Sequence, residues 1–179
     1  MTPPHANLRL RLRADTADAH RRLDALAAPL DLTERDDLAR FLSAHHRAAL
    51  ALAGRVTREA DMLRARAALA ADDLAMLGVT PADADGMPGE PIHPTGLLYV
   101  IAGSHLGARQ LAATVRRSPE ARVRGATTML EDPALGARWK MLVGELKAAP
   151  AQGSEADTVV AAALATFAAY ERAFRLGFE

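Results

Sequence analysis

Apolar residues recur at three- and four-residue intervals along most of the chain, the spacing of one face of an α-helix. The segment "LRLRLR" (8–13) alternates like a strand, but it runs straight into "ADTADAHRRLDALAA", rich in alanine and leucine with apolar positions at helical spacing. One long helix is therefore expected from Leu8 to Ala28, stopped by Pro29. Thr33 has the character of an N-cap, with Glu34, Asp36 and Asp37 in the first turn of a helix reaching Val56. A third helix is expected over Glu59–Leu77, ending at Gly78. Residues 78–95, dense in proline, glycine and aspartate, read as an irregular loop. The pattern then predicts a helix from Thr95 to Arg117 and a short one around 119–130. Pro133, at a first-turn position, opens the next, and Ser154 with Glu155 and Asp157 starts a last helix reaching Leu176. Valine and isoleucine occur singly or as isolated pairs, so no strand pattern competes. The expected fold is all-α, a single-domain bundle of about six to eight helices over 1–179, with residues 1–6 frayed.

Composition narrows the function. A chain of 179 residues is long enough to bury a substantial core. Lys+Arg and Asp+Glu balance at 22 each, so no global field draws it to nucleic acid or to an anionic membrane. Cysteine is absent, which excludes disulfides, thiolate metal sites and cysteine nucleophiles. "MTPPHANLRLRLR" lacks the apolar core of a signal peptide, and no apolar run reaches membrane-spanning length. A cytoplasmic protein without nucleic-acid or membrane partners is the expectation.

Candidate chemistry starts with histidine. His45 and His46 lie about 100° apart around a helix axis and cannot both face one metal. "EPIH" (90–93) has the spacing of a di-iron ExxH motif but lacks the regular helix and second copy that motif needs. His20 shares one helix face with Ala17, Leu23, Asp24 and Ala27. That setting suits first a partly buried histidine paired with Asp24, and second a metal ligand whose other nitrogen Asp24 orients.

"YVIAGSHLGARQL" (99–111) contains the second signal. Each interior glycine costs a helix roughly 1 kcal/mol against alanine, yet Gly103 and Gly107 sit four apart, on one face with Tyr99 and Leu111. Two readings are open: close helix–helix packing, or a flat ligand laid against exposed backbone. His105 falls about 200° from Gly103 around the helix and points away from the glycine face.

His20 on a first helix, followed by "YVIAGSHLG", resembles the bacterial heme oxygenases, in particular the small group associated with bacteriophytochromes. The likeness extends through "LRADTADAHRRLD", "LLYVIAGSHLGARQL", "RWKML" and "TFAAYERAF". The resemblance implies a heme oxygenase-like helical fold with His20 as proximal iron ligand and Asp24 as its nearby carboxylate. It makes Gly103 and Gly107 the glycine pair of a distal helix kinked over heme. Arg13 and Tyr99 match propionate-contacting positions, Lys140 a basic position near the heme edge, and Phe167 a wall residue. The chain departs from the family pattern at Ala102, where relatives often carry glutamate, and at Ser104, where some place an aspartate that orders distal water. Ala108 stands where animal members often have a further glycine.

The implied activity is oxidative cleavage of heme at a meso carbon to biliverdin, carbon monoxide and free iron, with heme as both cofactor and substrate. The sequence carries no flavin or nicotinamide fingerprint, so electrons are expected from an external donor such as a ferredoxin or a flavoprotein reductase. A bacteriophytochrome is the implied recipient of biliverdin. A carrier or sensor that binds heme without turnover is the alternative. The basic run "RRSPEARVR" (116–124) reads either as a solvated face or as the docking site of an acidic donor.

Overall fold

The computed structural model describes residues 6–82 and 89–177. The segment expected to fray, up to residue 5, and positions 83–88 of the irregular stretch lie outside them. The described residues are all-α, with no strand among them. Among the described residues nine helical segments occur: α1 (Leu8–Asp15), α2 (Ala17–Ala27), α3 (Arg35–Ala53), α4 (Ala60–Met76), α5 (Pro94–Gly103), α6 (His105–Val115), α7 (Ala121–Gly125), α8 (Pro133–Ala148) and α9 (Ser154–Arg175).

Two of the expected long helices are each broken at one hydroxyl residue. Between α1 and α2, the Thr16 hydroxyl donates to the Leu12 carbonyl at 2.7 Å. Between α5 and α6, the Ser104 hydroxyl donates to the Ile101 carbonyl at 2.7 Å, and the Gly107 N–H makes a tight three-residue bond back to Ser104 at 3.2 Å. A side chain that bonds backbone one turn earlier offers an alternative to the regular ladder and bends or interrupts it.

Other boundaries differ for similarly local reasons. Thr33 is not the cap of α3; Glu34 occupies that position, and Thr33 gives both its N–H and its hydroxyl to Asp31 in a preceding turn. The expected helix over 119–130 shortens to α7 because the buried Asp73 carboxylate takes the N–H groups of Thr128 and Met129 at 3.0 and 2.9 Å. Gly78 ends α4 as expected: its φ is +73°, and the Val79 N–H reaches the Leu74 carbonyl in a Schellman closure. Asp132 caps α8 through Ala134, ahead of Pro133.

The core is organised around α9, which packs on α1, α2, α3 and α5. Its alanines allow neighbours to approach closely, and α5 comes nearest. A Cβ added at Gly96 would lie 2.3 Å from the Val159 carbonyl oxygen and 2.7 Å from the Ala162 Cβ. The larger apolar cluster joins α3, α4 and the second half of α9; a smaller one joins α1, α5, α8 and the first half of α9. Among the described residues no helix is long and apolar enough to cross a membrane.

Candidate functional site

A cavity of about 1320 Å³ opens between α1–α2 on one side and α5–α6 on the other. That exceeds the roughly 300–1,000 Å³ of ordinary small-ligand sites. The stripe Ala17, His20, Leu23, Asp24 and Ala27 forms one wall, and Tyr99, Gly103, Gly107 and Leu111 form part of the other. Both helical faces anticipated from residue spacing thus meet across one space. Because α2 is anchored to α9 while α6 is held by α5 and α8, the two faces are kept apart by the helices behind them.

His20 is 63% exposed within this opening, and its Nδ1 lies 2.8 Å from an Asp24 carboxylate oxygen. The ring meets Phe167 edge-on at 5.8 Å between centroids. Asp24 therefore fixes the orientation of the imidazole and leaves Nε2 as the nitrogen available to a ligand. This pairing is the i,i+4 contact expected of the helix; the expected burial is not found, since His20 and Asp24 are both exposed.

The two glycines play different parts. A Cβ at Gly103 would sit 3.3 Å from the Trp139 ring, so this glycine gives room to an α8 side chain that itself borders the cavity. A Cβ at Gly107 would meet no atom within 4 Å, which leaves helix–helix packing without an object there. Ser104 lines the cavity between them, its hydroxyl proton committed to Ile101. His105 does turn away: its Nδ1 lies 2.7 Å from the Ala102 carbonyl oxygen and its ring packs against Gly136 and Trp139.

Arg13 and Tyr99 both border the cavity, joined by Arg9 from the preceding turn of α1. Burial pushes the Tyr99 hydroxyl above the usual tyrosine range, opposed by the Thr16 side chain and by the charges of Arg9 and Arg13. These groups form a polar, cationic edge. Lys140 does not belong to it; the residue is exposed on α8, outside the cavity wall. His93 is also elsewhere, capping α5 through Thr95 and pairing with Glu155 at 3.0 Å. Among the described residues, no group of three or more His, Asp or Glu side chains converges as a metal cage; a single axial histidine requires none.

Sequence reasoning missed a buried part of the cavity lining. Arg66 of α4, His45 of α3 and Tyr170 of α9 all reach it. His45 is surrounded by the rings of Phe41, Tyr170 and Phe174, with centroids 4.5, 5.2 and 5.8 Å away. Burial, with the nearby charge of Arg66, pushes its pKa down to about 3, so the ring is neutral at ordinary pH. Burial also raises Tyr170, against the charge and hydrogen bond of Arg66. His45 was visible only as half of an adjacent histidine pair, and Arg66 only as an arginine amid the alanines of α4, a residue too common on surfaces to single out.

Comparison with protein-family models and with curated proteins returns no match to this chain.

Proposed function

We propose that the cavity binds heme and that the protein is a heme-degrading monooxygenase, releasing biliverdin, carbon monoxide and iron with electrons from an external donor. One observation carries this reading: a histidine with one nitrogen tied to a carboxylate stands in a large cavity opposite helix backbone left bare at Gly107. A porphyrin needs an axial donor on one side and a close, flat, side-chain-free surface on the other. The residues present fit both needs.

His20 would hold iron through Nε2, while Asp24 accepts the Nδ1 proton and so sets the tautomer and ring orientation. Arg13, Arg9 and Tyr99 supply the cations and hydroxyl that two propionates require. Phe167 braces the His20 ring. When bound, heme supplies both the iron that activates oxygen and the macrocycle that is oxidised. The chain's own contribution on the distal side is backbone: Gly107 admits close approach without presenting an acid–base side chain, and Gly103 makes room for the Trp139 ring beside it. Ser104 retains its oxygen as an acceptor but has no free proton to donate while bonded to Ile101.

The same features favour a second reading, a heme carrier or sensor. Alanine at 102 and serine at 104 carry no carboxylate, and the Ser104 hydroxyl proton is engaged, so neither position offers an acid to the cavity. Titration with hemin, followed by the Soret band, tests both readings. A saturable one-to-one complex is expected, with weakened or altered ligation in His20→Ala. Adding ascorbate or a reductase to the complex should bleach it to a bilin spectrum. Heme that persists under reductant and oxygen would establish the carrier; failure of the protein to bind hemin would sink both readings.

A further inference from the structure

The buried part of the cavity lining contains a cation with no counter-charge. Arg66 is 3% exposed, yet among the described residues no carboxylate forms an ion pair with it. Its Nη1 donates to the Met129 carbonyl at 3.3 Å, a long bond, and its buried Nε has no partner. The buried carboxylate on the same helix, Asp73, accepts instead from the backbone of Thr128 and Met129. A buried charge is costly unless paired, and leaving an arginine donor unsatisfied adds to that cost.

We infer that Arg66, with Tyr170 and His45, forms a subsite for a monovalent carboxylate at the buried part of the cavity lining, distinct from the cationic edge at Arg9 and Arg13. Three features define the ligand. The first is charge. Tyr170 and His45 are held neutral by burial, so the cluster carries a single positive charge and balances one negative charge, not two. The second is shape: a planar guanidinium whose Nε has no partner suits a planar carboxylate group. The third is surroundings. Phe41, Leu130 and Phe174 line the same region, so a carboxylate borne on an apolar body would bury that body as well. The cavity is larger than ordinary ligand sites, and a small acid is a reasonable occupant for this part of it. This assignment does not depend on heme binding at His20.

Two probes distinguish a free small anion from the carboxylate of a larger apolar molecule: sodium formate and sodium hexanoate. Both are titrated into the hemin-free full-length chain at constant ionic strength, with isothermal calorimetry and thermal shift as readouts. Wild type should bind saturably. Comparable affinity for the two probes would identify a small-anion site, and a marked preference for hexanoate an apolar carboxylate. Arg66→Met should weaken binding more than about tenfold, the loss expected for a hydrogen bond to a charged group. Tyr170→Phe, which keeps the ring and the fold, should weaken it about three- to tenfold. No saturable binding by wild type would overturn the site and leave water as the partner of Arg66. So would affinity unchanged in a folded Arg66→Met, or in Tyr170→Phe should Arg66→Met not fold. Because hemin is absent throughout, neither result bears on hemin binding, and failure of hemin to bind leaves this site standing.

Discussion

A neutral histidine in the lining of a largely apolar cavity makes stability depend on pH in a definite direction. His45 has a folded pKa of about 3, against about 6.5 in an unfolded chain. Between those values the unfolded chain binds a proton at this position that the folded chain does not, so stability falls as pH is lowered through that window. The whole window corresponds to roughly 5 kcal/mol as an upper figure. Urea denaturation from pH 7 to pH 4 should therefore show a flatter dependence in His45→Gln than in wild type. Equal slopes would mean that the ring reaches solvent without unfolding. His20, by contrast, was legible from its sequence neighbours, because its partner Asp24 is one helical turn away and the contact is local. His45, Arg66 and Tyr170 come from three helices, and nothing in the spacing of one helix shows what the other two bring to it.

At the scale of elements, the glycines of α5 and α6 separate into packing and ligand-facing positions. Gly96 is pressed against the α9 backbone, so Gly96→Ala forces α5 away and should cost at least about 1–3 kcal/mol. Gly107 faces open space, so Gly107→Ala should stabilise the protein, by up to about 1 kcal/mol from helix propensity. On the proposed function, the same substitution should weaken hemin binding or alter its spectrum. Chemical denaturation of both variants checks the sign: a destabilised Gly107→Ala would return that position to packing. The two interruptions at Thr16 and Ser104 belong to this scale as well. Periodicity predicted continuous helices because it registers side-chain faces, and a hydroxyl that bonds backbone one turn earlier leaves that periodicity intact.

Across the whole molecule, support is uneven. α9 contributes buried residues along its full length, whereas α2 buries only Ala19 fully and α6 only Ala108, Ala112 and Val115. Local opening free energy follows burial and packing. Amide hydrogen exchange should accordingly be slowest in α9 and α3 and faster in α2 and α6, the two elements that face each other across the cavity. Hemin should then raise protection in α2 and α6 more than in the already protected α9. Uniform protection of all helices before hemin is added would contradict this gradient. A cavity walled by two helices with few fully buried residues can adjust to a flat ligand without disturbing the core behind it.

The sequence alone determined the all-α class, most helix locations, the shared face of Ala17, His20, Leu23, Asp24 and Ala27, and the stripe of Tyr99, Gly103, Gly107 and Leu111. All of these follow from a 3.6-residue period and from contacts within a turn or two. Tertiary structure decided which faces meet. It joined those two stripes across one cavity, left Lys140 outside it, made Gly96 the glycine of closest helix contact, and brought Arg66, His45 and Tyr170 together in the buried part of its lining. Such juxtapositions depend on how helices tens to more than a hundred residues apart in the chain pack together, and a local repeat carries no record of that distance.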